Sequence, residues 1–207
     1  LPTFEATTLT CVRGERRVFA DVSFRMNDGD ALVLTGPNGS GKSSLLRLCA
    51  GLLPPADGHL LWDDLAVSGD PYAHCARLHY VGHLEGIKPG LSVAENLRLF
   101  AALAGDACTQ ATILAALEKL GIRHLSETPA RFLSAGQRRR LTLSRLVAAP
   151  RPLWLLDEPA TALDVAGVDL ITSLIEEHRE SGGQVILSTH VPFAGKSPLH
   201  LDLGPSL

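Results

Sequence analysis

No stretch of the 207 residues approaches the roughly 18–20 consecutive apolar side chains that a bilayer-spanning helix requires. The opening LPTFEATTLT lacks the basic flank and apolar run of a secretory signal. Positive charge is not in excess: 19 Lys plus Arg stand against 22 Asp plus Glu, a formal charge of −3, so nucleic-acid binding would need a local patch. Cys11, Cys49, Cys75 and Cys108 are scattered without a CxxC pair, which reads as reduced, partly buried thiols. Internal repeats, low-complexity segments and linkers are also missing, and with only about 17 residues after His190 no appended regulatory domain is expected. With 45% hydrophobic and 20% charged residues, there is material for a sizeable core. The expectation is one domain over 1–207, soluble by itself and intracellular, which leaves a membrane partner open.

Short apolar, β-branched runs broken at Gly14-Glu15 and Asp28-Gly29-Asp30 predict strands and turns through 3–35. Ala31-Leu32-Val33-Leu34 is the kind of continuous run found in a strand buried on both faces. A helix is predicted from Ser43 to the stop at Gly51, and a short strand at Leu60-Leu61-Trp62. The middle reads as helical. Ser92-x-x-Glu95 is a capping box ahead of Val93, Leu97, Phe100 and Ala101, and Ile113, Leu114, Leu117 and Leu120 stripe a second helix. Strands at 153–156 and 185–188 flank a predicted helix at 165–180. Strand–helix alternation at both ends of a helical middle predicts a parallel α/β core with a helical insertion.

Three segments carry chemistry. Gly36-Pro37-Asn38-Gly39-Ser40-Gly41-Lys42-Ser43 fits G-x-x-x-x-G-K-[ST] between a strand and a helix. Glycines let such a backbone turn its N–H groups onto phosphates, and the helix start adds a positive dipole end. Lys42 is placed to reach β- and γ-phosphates, Ser43 to ligate Mg²⁺, and Ser44 is a further nucleotide-binding candidate. The strand Leu153-Trp154-Leu155-Leu156 delivers Asp157, suited to Mg²⁺, and Glu158, suited to activating the attacking water. Leu133-Ser134-Ala135-Gly136-Gln137 opens another helix with capping-box spacing and a bare glycine, which is either an ordinary cap or a second anion site. Spacing does not decide whether the two helix ends share a nucleotide within one chain or across two. The following Arg138-Arg139-Arg140 reads as a solvated basic helix face, and without interleaved aromatics it is no nucleic-acid site.

Together these segments resemble the ATPase subunit of an ABC transporter. Gly36 to Ser43 match Walker A, Leu133 to Gln137 the LSxGQ signature and Leu153 to Glu158 Walker B. Thr161-Ala162-Leu163-Asp164 matches the D-loop, and His190 the switch histidine. The resemblance implies an α/β P-loop NTPase fold of ABC type, with a RecA-like mixed or parallel sheet core, an N-terminal antiparallel β subdomain and a helical signature subdomain. Approximate lobes are 1–82 with 150–207, and 83–149. It further implies a head-to-tail dimer in which Ser134, Gly136 and Gln137 reach ATP in trans while His190 contacts it in cis. The strings CVRGERRVFADVSF, GHLLW, GHLEGIKPGLSVAENL, LSAGQRRRLTLSRL and LWLLDEPATALDVAGV resemble more narrowly the ATP-binding subunit of cytochrome c maturation systems, the haem exporter ATPase. That implies a motor on the cytoplasmic face of the inner membrane, held there by a separate transmembrane subunit. No direct haem binding is expected: CxxCH is absent and nothing reads as a haem pocket.

Two positions depart from the wider family. His83 stands where a Gln usually touches Mg²⁺ and the attacking water; an imidazole could still serve, with pH-dependent affinity. The loop from His83 to Leu91 is the expected docking segment for the membrane subunit, the rival being a purely structural loop. Arg13 occupies the usual adenine-stacking position, where a guanidinium plane stacks with less apolar burial than a Tyr. Weaker base discrimination than a Tyr would give is expected; comparable turnover of GTP and ATP would support it, and a strong ATP preference with Arg13 removable at no cost would overturn it. Rival functions are an ABC ATPase for lipid, drug or metal, and a soluble ABC ATPase acting on ribosomes or DNA. Against the latter, there is one Walker A and no heptad insertion, and a P-loop GTPase would need an NKxD that is not present.

Overall fold

The first strand changes phase partway along. In the computed structural model, which describes residues 2–189 and 195–204, β1 (Phe4–Arg13) buries Phe4 and Ala6, then Leu9 and Cys11. The switch from even to odd positions coincides with a register shift against β2 (Arg16–Met26), and Thr8 sits at φ 48°. One extra residue thus keeps apolar side chains inward on both sides of the irregularity. With β4 (Asp57–Trp62) and β5 (Leu65–Ala66) these strands form an antiparallel sheet in the order β2-β1-β4-β5.

The second sheet is parallel throughout, in the order β6-β7-β8-β3-β9. Its strands are β3 (Ala31–Thr35), β6 (Leu78–Val81), β7 (Leu153–Asp157), β8 (Gln184–Ser188) and β9 (Leu199–Asp202). The continuous apolar runs are explained by burial on both faces. Val33, Trp154, Leu156 and Leu187 join one core with the helices α3 (Val93–Leu103), α4 (Gln110–Lys119), α5 (Ala135–Ala148) and α6 (Val165–Glu180). Leu32, Leu34, Leu153, Leu155 and Ile186 join the other, with the antiparallel sheet and α1 (Lys42–Cys49). Each fully buried Leu or Ile contributes about 1.5–3 kcal/mol, so the three central strands anchor both cores. Register sets Leu34, Ser188 and Asp157 level with one another at the carboxyl edge of this sheet.

Both capping boxes form as spacing predicts, Ser92 with Glu95 and Ser134 with Gln137. The segment between β6 and α3 is knitted by Asn96, which is fully buried. Its Nδ2 donates to the carbonyls of Lys88, Leu91 and Ser92, and its Oδ1 accepts the Lys88 amide at 2.7 Å. Sequence reading misses the short elements β6, β9 and α2 (Pro71–Ala76), the last opened by Asp70, whose side chain accepts the Ala73 amide. No helix among the described residues is long and apolar enough to cross a membrane.

Burial of His79 in β6 pulls its pKa down to about 4, although its Nε2–H donates to the Ala149 carbonyl. The unfolded chain therefore takes up a proton first as pH falls. The histidine's contribution is intact above about pH 6.5 and shrinks by about 2 kcal/mol on reaching pH 5. His79→Gln should narrow the drop in melting temperature between pH 7.5 and 5.0 by about 5 °C. An identical drop in both proteins would assign the acid sensitivity to other groups.

Candidate nucleotide site

β3 ends at Thr35, and the chain makes a glycine-rich loop before α1 begins at Lys42. Gly41, the residue preceding the helix, lies at φ 103° and offers no side-chain cap, so the first amides of α1 keep their hydrogen-bonding capacity. A Cβ at this position would come within 2.6 Å of Val18 and 2.8 Å of the Phe19 ring. Lys42 is largely buried and arches back over the loop, its Nζ donating to the carbonyls of Gly36 at 2.7 Å and Pro37 at 3.1 Å. Ser40 is also buried within the loop. Loop and helix start wall a cavity of about 350 Å³, reached by Asn38, Gly39, Gly41, Lys42, Ser43 and Ser44.

Asp157 and Glu158 complete the same wall. Asp157 is buried at the end of β7, and the Ser188 hydroxyl donates to its Oδ1 at 2.7 Å. The same hydroxyl oxygen accepts the Glu158 amide at 3.2 Å, so β8, lying between the loop strand and the acid strand, orients both acids. Glu158 has φ 50°, a left-handed conformation unusual for a side chain of this size. The oxygen-only donor set of Ser43 and Asp157 fits Mg²⁺, which takes one or two protein oxygens beside phosphate and water. Among the described residues no cluster of three or more His, Cys, Asp or Glu side chains suits a metal.

The arginine run does not form a solvated face. Successive helical residues point about 100° apart, so three in a row cannot share one side. Arg138 donates to the Leu133 carbonyl and pairs with Glu85 at 3.6 Å. Arg140 donates to the Leu120 carbonyl and pairs with Asp164 at 2.9 Å. Arg139 is buried among main-chain carbonyls of the acid strand. The Gly167 amide and the Arg140 guanidinium hold the Asp164 carboxyl below its usual range.

Ser134, Gly136 and Gln137 stand apart from the cavity wall, at the start of α5. Ser134 Oγ accepts the Gln137 amide, and Gln137 Oε1 accepts the Ser134 amide at 2.9 Å. Gly136 faces the Ala162 carbonyl so closely that a Cβ would lie 2.9 Å from that oxygen, while Ala162 itself sits at φ 65°. His83 and Arg13 are exposed and also lie outside the cavity wall. Arg13 ends β1 near the site nonetheless: burial raises the Cys11 thiol, and the Arg13 cation and then Ser44 oppose that rise. His190 lies outside the described residues.

Sequence reading missed Val18, Ser188 and Arg139. Val18 lines the cavity from β2, but as one β-branched residue in a strand it carries no sign of the loop it meets. Ser188 does end a predicted buried strand, and a hydroxyl at that edge was the available signal.

A sequence profile described as ABC transporter matches residues 19–161. The chain is 54% identical over 204 residues to the cytochrome c biogenesis ATP-binding export protein CcmA of Paramagnetospirillum magneticum, spanning 97% of this chain and 94% of that protein. It is 53% identical over 201 residues to the protein of the same name from Rhodospirillum rubrum, spanning 96% and 85%. An ABC transporter ATP-binding protein from Pyrococcus furiosus superposes with a TM-score of 0.84 at 22% identity, covering 97% of both chains, a likeness of fold.

Proposed function

The chain belongs to the ABC transporter ATP-binding family, with the cytochrome c biogenesis export ATPases, and we propose that it is the ATP-hydrolysing motor of a c-type cytochrome assembly complex. The observation that carries this reading is the single cavity into which the phosphate loop, Asp157 and Glu158 all open. In it, the α1 amides and Lys42 bind the β- and γ-phosphates, and Ser44 and the loop residues Gly36 to Ser43 enclose them. Ser43 and Asp157 would hold Mg²⁺, which supplies neutralising charge to the phosphates. A Glu158 carboxylate oxygen takes a proton from the attacking water, the water oxygen bonds to the γ-phosphorus, and ADP leaves. Arg13 is assigned the base and His83 the water, both reaching the nucleotide from outside the cavity wall, and the role of contacting the γ-phosphate in the same chain is assigned to His190, outside the described residues.

The start of α5 lies away from that cavity, which supports a head-to-tail dimer in which Ser134, Gly136 and Gln137 of each copy close on the other's nucleotide. The single domain divides into a core lobe, 1–82 with 150–207, and a signature lobe, 83–149. The 83–91 segment, with Leu84 87% exposed, docks a separate transmembrane subunit at the cytoplasmic face of the inner membrane. Handling of haem then falls to that subunit, and this chain binds neither haem nor nucleic acid. Affinity purification of the tagged chain from solubilised membranes tests the assignment. A membrane protein of cytochrome c assembly is expected; a lipid, drug or metal permease in its place would overturn it.

A further inference from the structure

Three consecutive carbonyls, those of Asp157, Glu158 and Pro159, converge on one guanidinium. Arg139 Nε donates to the Pro159 oxygen at 3.0 Å, and Nη2 donates to Asp157 at 3.0 Å and to Glu158 at 2.6 Å. Its Nη1 donates to the Gly82 carbonyl at 3.3 Å, immediately before His83. Only 4% of the residue is exposed, so these carbonyls have no ready supply of water in its place. Burial pulls the Arg139 pKa down, and the Glu85, Asp157 and Glu158 carboxylates oppose that.

The geometry has a consequence for the acid. Glu158 holds φ 50°, its amide tied to Ser188 and its carbonyl to Arg139 and the Thr161 amide. A non-glycine residue keeps such a conformation only when its surroundings impose it. Arg139 sits in the first turns of α5, just beyond the Ser134–Gln137 cap, so one side chain joins the signature helix, the acid strand and the segment entering the 83–91 loop.

We propose that Arg139 is a positioning residue for hydrolysis: by holding three carbonyls around Glu158 and the carbonyl of Gly82, it aims the Glu158 carboxylate and keeps that aim in register with the signature helix. The proposal rests on Glu158 acting as the base. A bare fastening of two lobes would affect folding and nucleotide binding alike; aiming a base affects the chemical step. Lysine keeps the charge but has one compact head, which cannot serve carbonyls arrayed around a planar fork.

Steady-state ATPase kinetics of the full chain with its membrane partner separate these roles, using Arg139→Lys, Arg139→Gln and Glu158→Gln prepared alike. Both Arg139 variants should lose about 10- to 100-fold in kcat, as expected of a small misplacement at the reacting group, with KM and ATP affinity within about threefold. Combining Arg139→Gln with Glu158→Gln should cost nothing beyond the residual turnover of Glu158→Gln alone. A kcat within about threefold of wild type in either folded variant overturns the proposal. So does a parallel loss of kcat and ATP affinity, or a further tenfold loss in the double variant. Failure of both Arg139 variants to fold makes Arg139 a folding residue and equally overturns it. Wild-type turnover by Glu158→Gln would sink the base assignment itself, whatever the Arg139 variants do.

Discussion

Glu158→Gln should stop ATP turnover at the chemical step and leave nucleotide binding intact. The amide keeps the shape of the side chain and the main-chain bonds to Ser188 and Arg139 that fix its origin, but it has no basic oxygen to take a proton from water. General-base catalysis contributes about 10²–10⁴-fold, so a loss of about 10³-fold in kcat is expected. Lys42, the α1 amides and Asp157 are untouched, so ATP should still close the two copies on each other and the closed state should accumulate. Phosphate release, nucleotide binding and gel filtration with ATP read these three consequences. Normal turnover would mean that another group activates the water.

Gly41→Ala should abolish the nucleotide site by a different route. At φ 103° an alanine is strained before any neighbour is considered, and its methyl would lie 2.6 Å from Val18 and 2.8 Å from Phe19. Phe19 belongs to the core beneath the antiparallel sheet and cannot yield freely. The loop must therefore move outward, carrying with it the first amides of α1 and the Lys42 side chain that spans it. ATP affinity should fall at least about 100-fold, equivalent to about 2.7 kcal/mol, and the melting temperature by several degrees. Titration with a fluorescent nucleotide tests this, and unchanged affinity would show that the loop accepts a side chain at this point.

The difference between these two sites and the rest of the molecule explains what could be read in advance. The phosphate loop and both capping boxes are local: their donors, acceptors and glycines lie within a few residues, so order along the chain specifies them. The central strands were legible because burial on both faces leaves a continuous apolar run. Arg139 was misjudged because its environment comes from Gly82 and from residues 157–159, segments distant in sequence, and nothing in RRR distinguishes the buried member. Val18 and Ser188 are similar cases, ordinary strand residues made important by the element beside them. β9 escaped notice because it is mostly exposed and has no apolar run to betray it.

The contact between Gly136 and the Ala162 carbonyl leaves room for a hydrogen atom and nothing more. At this one point the glycine brings no side chain to the contact, so there is none to trim. Substitution at most interfaces can loosen or tighten the fit in small steps; here the available step is breakage. The turn containing Ala162 begins at Glu158, whose carbonyl receives the Thr161 amide. The start of α5 and the turn that carries Glu158 thus meet partly through bare main chain, and adjustable contact between them is left to side chains such as Arg139.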